Sequence, residues 1–155
     1  MGLRDNFGND AYCSFNWFYT SMKKQIRIGC GAGFSGDRLE PAVVLAQKGN
    51  LDYLVLECLA ERTIALAQKR KIENPALGYD PLLERRILSL LPFIVKNNIK
   101  LISNMGAANP VAAAKKIKEL CLKAGYHIKV ASVGGDDVLN KLNLKERTLE
   151  NDKPL

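Results

Sequence analysis

The chain has 155 residues, 47% of them apolar and 25% charged, with a formal net charge of +7. Those values fit one ordinary globular domain. They exclude a helical membrane span, since no run approaches the roughly 18 apolar residues one needs, and no secretory h-region opens the chain. Basic residues are scattered over helix patterns, as at Lys69, Arg70 and Lys71, at Arg85 and Arg86, and at Lys115 and Lys116. Without aromatic interleaving they read as solvated faces, and neither a nucleic-acid nor a membrane partner is expected. Cys13, Cys30, Cys58 and Cys121 form no CxxC pair, so neither a metal site nor a disulfide framework is signalled, and a reducing, cytoplasmic setting is expected.

Residues 1–25 form an aromatic-rich extension with Phe7, Tyr12, Phe15, Trp17, Phe18 and Tyr19 but no clear period, read as a docking extension, a tail or a wrongly assigned start. An apolar run at 25–28 predicts the first strand, and 29–38 a glycine-rich loop. A helix over 38–48 follows, with Asp37 and Glu40 in a capping-box pattern. A second strand over 53–57 is short and apolar, as a buried parallel strand should be, and a helix over 60–72 follows it. Asp80 and Pro81 give an N-cap and N1 pair for a long helix to about residue 97, with Pro92 expected to kink or end it. A third strand covers 99–103, a helix 110–124 with Gly125 at its C-cap, and a fourth strand 128–133. From residue 142 the chain is polar.

Strands alternating with helices predict an α/β, Rossmann-like layered fold, doubly wound, with a mostly parallel sheet flanked by helices. Four strands leave an open edge, so the domain reads as incomplete and open to a partner chain or a second copy. The loops after the strands converge at one end of such a sheet. They bring Ser35, Asp37 and Arg38 together with Glu57, Glu61 and Arg62, with Asn104, Gly106 and Asn109, and with Asp136 and Asp137. Carboxylates gathered there can share a proton, act as a base or hold a cation. Capping explains Asp37, Asn109 and Asp136 equally well. It demands neither Glu57 nor Asn104, and with Asp137 these are the catalytic candidates. Gly31, Gly33, Ser35, Gly36 and Arg38 are the candidates for an anion or cofactor loop, joined by Gly106 and Asn109.

Gly31, Gly33 and Gly36 fit GxGxxG, with Glu57 as a ribose-binding acid, which would make a nucleotide-dependent oxidoreductase. The acid lies beyond the roughly 20 residues that motif expects, and Asp37 would repel a pyrophosphate. His127, the only histidine, falls at the start of a strand, away from the loop cluster. Neither a catalytic triad nor a histidine metal site is expected from it.

Four ordered motifs carry a resemblance: IRIGCGAGFSGDRLEPAV at 26–43, LDYLVLECLAERTIALAQ at 51–68, GYDPLLERR at 78–86 and ISNMGAANPVAAA at 102–114. Together they resemble the N-terminal domain of the acyclic terpene utilisation protein A family, over about 26–139. The resemblance implies catabolism of citronellol- and geraniol-type acyclic terpenes through acyl-CoA intermediates. It makes residues 26–155 a partial domain that closes on a VGGDDV-like stretch at 133–138, where family members continue further. The ligand it implies is an acyl-CoA or terpenoid carboxylate. A non-catalytic binding or assembly module is the alternative, and no reaction, cofactor or metal follows from the residues themselves.

Overall fold

The computed structural model describes residues 25–143; the aromatic extension before them and the polar tail after them lie outside the described residues. Three strands form a parallel sheet in the order β1-β2-β3, with β1 at Ile28–Ala32, β2 at Tyr53–Leu56 and β3 at Lys100–Ser103. Helix α1 (Glu40–Lys48) connects β1 to β2, α2 (Glu61–Glu73) and α3 (Leu83–Lys96) connect β2 to β3, and α4 (Pro110–Lys123) follows β3. The result is a small α/β layered fold. The described strands keep sequence order, so the reversal of direction that defines a doubly wound sheet does not occur among them.

Alternation along the strands decides which face is covered. Gly29, Gly31, Leu54 and Leu56 are buried, while Ile28, Cys30 and Ile102 between them are exposed. Ala42 and Ala46 of α1, Leu83, Ile87, Leu90, Leu91 and Ile94 of α3, and Ala113 and Cys121 of α4 complete one core with Leu54 and Leu56. Three helices therefore share one face of the sheet, and no described element covers the other. Asn97 at the end of α3 donates to the Ala46 carbonyl at 2.8 Å and locks α3 to α1.

The sequence expectations require four corrections. The first strand runs through Ala32, so Gly29 and Gly31 are strand residues rather than loop. A β-bulge falls between Cys30 and Ala32, and a Cβ on Gly31 would come within 2.8 Å of Leu56, 3.0 Å of Ala42 and 3.1 Å of Leu54. Gly31 is thus required by close packing of α1 on the sheet. Helix α1 starts at Glu40 without a side-chain cap, because the Asp37 carboxylate turns back to accept from the Gly33 N–H at 2.8 Å.

Helix α3 runs unbroken through Pro92. Pro92 and Leu88 are both exposed, so the Leu88 carbonyl that loses its helical partner faces water. Finally, residues 128–133 form no strand and make no backbone hydrogen bond within the described chain, so β3 is an edge strand among the described residues. The remaining boundaries agree with the periodicity to within a residue or two. Asn109 caps α4 by accepting from the Ala112 N–H at 3.3 Å, and Gly125 ends it with φ +80°.

Candidate functional site

The loops after β1, β2 and β3 meet at the carboxyl end of the sheet in two polar clusters. The first is buried. Asp80 is 5% exposed and Arg86 1%. The Ser35 hydroxyl donates to Asp80 Oδ2 at 2.7 Å, and the Leu82 N–H donates to Asp80 Oδ1 at 2.7 Å. Arg86 Nη2 donates to the Ser35 and Asp37 carbonyls at 2.8 and 2.9 Å. The glycine-rich loop is thereby bolted to the start of α3, and a buried cation and anion are joined through Ser35. Nε and Nη1 of Arg86 make no hydrogen bond. The sequence reading missed Arg86, taking Arg85 and Arg86 as one solvated pair. Its placement at the interior-facing spacing of Leu83, Ile87 and Leu90 is the signal that marks it.

The second cluster lies nearer the surface, with Glu57 exposed and Asn104 half-buried. Asn104 follows β3; its Oδ1 accepts from the Cys58 N–H and its Nδ2 donates to Glu57 Oε1, both at 2.7 Å. Glu57 Oε1 also accepts from the Leu59 N–H at 2.9 Å. The Asn104 amide and then the Leu59 N–H hold the Glu57 carboxyl below its ordinary value, so it is a carboxylate throughout the neutral range. Ala107, in the same loop, holds a left-handed backbone with φ 46°, a strained conformation for a residue with a Cβ.

The structure thus brings Glu57 and Asn104 into direct contact, while Asp137 pairs with Lys71 of α2 at 3.7 Å. Gly33, Gly36 and Arg38 are exposed and Ser35 is half-buried. With the Gly33 N–H taken by Asp37 and Gly31 inside β1, the GxGxxG frame does not present its glycines as one phosphate cradle. Gly106 packs against Pro110, where a Cβ would come within 2.8 Å. Asn109, besides capping α4, donates to the Pro75 and Leu77 carbonyls at 2.8 and 2.7 Å. Cys58 is buried beneath the site, and burial pushes its thiol up to about 11 against the opposing pull of Arg86. It is therefore a protonated packing residue at neutral pH. Among the described residues no three His, Cys, Asp or Glu side chains gather as a metal site.

Next to Asn104 lies an apolar groove of about 790 Å³, bounded by Ile87 and Leu91 of α3, Leu101 of β3, Ile117 of α4, and Ile128 and Val130. Ser103, Asn104 and Asp136 give it a polar end, while Lys100 and Lys129 also line it. A smaller polar depression of about 310 Å³ lies at the opposite end of the strands, around Arg27 and Asp52. The Arg27 N–H already donates to the Asp52 carboxylate there, and open α/β sheets bind ligands at the carboxyl ends of their strands.

With this geometry in place, comparison with known families is decisive. A model described as acyclic terpene utilisation family protein AtuA matches residues 26–155. The chain belongs to that family. The match takes in all three strands, both polar clusters and the groove, and it extends past residue 139, where the motif resemblance ends. No curated protein and no solved structure matches.

Proposed function

We infer that this AtuA family chain binds an acyclic terpenoid acyl-CoA, with the acyl chain in the groove and the thioester beside Asn104 and Glu57. The observation that carries this reading is the adjacency of an apolar groove of about 790 Å³ to the half-buried Asn104 amide, hydrogen-bonded to the exposed Glu57 carboxylate at the strand ends. That volume lies within the few hundred to about 1,000 Å³ of small-molecule sites, which pair apolar walls with a few convergent polar groups.

Charge favours the thioester over the free acid. Glu57 is ionised beside Asn104, and Asp136 lines the same groove, so a second carboxylate at that end meets like charge and a neutral thioester does not. The exposed Arg38 and Arg62, in the loop after β1 and at the start of α2, supply cations for the phosphates of the CoA moiety. Glu57 is available to accept a proton, so the reading covers binding alone and transformation.

Calorimetric titration with a geraniol-derived acyl-CoA, octanoyl-CoA and free CoA tests it. Both acyl-CoAs are expected to bind more tightly than free CoA, and Asn104→Ala to weaken them at least tenfold. Equal affinity for acylated and free CoA removes the groove from the reading, and no binding removes the reading itself.

A second reading, an assembly module, is favoured by the sheet face that no described element covers. Ile28 is 66% and Ile102 52% exposed there, whereas parallel sheets ordinarily have both faces covered. It predicts a defined oligomer in sedimentation; a monomer across the concentration range excludes self-assembly.

A further inference from the structure

The outer edge of β3 pairs with no strand among the described residues, and residues 128–133 stand beside it along the same apolar groove. Ile128 and Val130 are half-buried, while Lys129 and Ala131 are exposed; Ile128 already packs against the core. This is the period-two alternation of a strand with one buried face. β3 and the residue before it present the matching order, with Ile99 buried and Leu101 half-buried, and Lys100 and Ile102 exposed. An open edge of unpaired N–H and C=O groups is a template for one more strand.

We propose that residues 128–133 are a closing strand, adding to β3 in parallel as a fourth strand that shuts the groove and withdrawing to the position described here to open it. Paired backbones lie about 4.8 Å apart, which leaves no width for a ligand chain between them. The closed register is set by charge. Ile128 opposite Ile99 brings Lys129 against Lys100, two like charges directly opposed. A shift of two residues puts Ile128 opposite Leu101 and Lys129 opposite Ile102, and this register is the favoured one. Closure does not depend on what the groove binds.

Hydrogen exchange on the full chain, wild type and Ala131→Pro, tests closure. Lys100 donates toward β2, so Leu101 and Ser103 face the outer edge, and in this register the Lys129 and Ala131 amides are the donors to β3. In the wild type both are expected to exchange at least tenfold more slowly than unpaired amides, and Lys129 at least tenfold more slowly than in the variant, with β1 and β2 unchanged. Proline at the exposed position 131 removes a ladder donor and disfavours pairing. Exchange of Lys129 and Ala131 at the unstructured rate in the wild type overturns the proposal. A cysteine pair at Ile102→Cys and Lys129→Cys is expected to oxidise to an intramolecular disulfide, the Cα spacing of neighbouring strands being within disulfide reach; failure to oxidise overturns the register. Octanoyl-CoA, with its binding followed calorimetrically, is expected to speed exchange at Lys129 and Ala131. Octanoyl-CoA that binds without changing exchange overturns the coupling of strand to groove. Octanoyl-CoA that does not bind counts against the ligand reading alone, and the wild-type exchange rates still decide closure.

Discussion

The two polar clusters at the carboxyl end of the sheet differ in what surrounds them, and that difference separates their roles. Ser35, Asp80 and Arg86 are tied to one another and to loop carbonyls in the interior. Glu57 and Asn104 make bonds of similar length at the surface. A buried charge network is costly to break because the surviving partners are left without water. The exposed Glu57 carboxylate is cheap to alter and open to a ligand. The first cluster accordingly builds the loop after β1, and the second is the one available for chemistry.

The sharpest way to break this contrast is Arg86→Met, which leaves the Ser35 and Asp37 carbonyls without their donor and Asp80 without a nearby cation. A loss of about 3 kcal/mol or more is expected in urea unfolding, and a loss below about 1 kcal/mol would show that the network is not holding the loop. Asp80→Ala should cost about 2 kcal/mol. The Arg86 and Asp80 double variant should lose less than the sum of the singles, because the two act through Ser35. Asn104→Ala should cost about 1–2 kcal/mol, chiefly through the Cys58 N–H left unpaired. Glu57→Gln should leave the unfolding midpoint unmoved and alter ligand affinity instead.

Two smaller effects sharpen the picture. Ala107→Gly should stabilise the chain by up to about 1 kcal/mol by relieving the left-handed backbone; a destabilised variant would mean that the alanine methyl contributes packing that outweighs the strain. Cys58 gives a pH signature. Its thiol ionises near 8.5 when unfolded and at about 11 when folded. Its stabilising contribution is therefore complete below the first value and lost as pH rises toward the second. With iodoacetamide at neutral pH, the exposed Cys30 should react well before Cys58 and Cys121, both buried. Equal rates would contradict the packing of Cys58 under the site.

The predicted elements that held are those with a local cause. β2, α2, β3 and α4 follow from short apolar runs and helical spacing, and Asn109 and Gly125 mark the ends of α4 by rules that act within one turn. Glu57 and Asn104 were legible as a pair because each ends a strand of a parallel sheet, and parallel register brings those ends together. Asp137 was not, since no regular pairing fixes the stretch that carries it.

By itself, the sequence determined the α/β class, the family and the caps of α4, because these depend on periodicity, ordered motifs and residues a few positions apart. Only the tertiary structure decided that Gly31 is a packing residue, that Arg86 is buried while Arg85 is exposed, that no described element covers one sheet face and that residues 128–133 stand off the β3 edge. Each of these turns on which surfaces meet across long sequence distances, and a residue's type cannot specify which surface it will face.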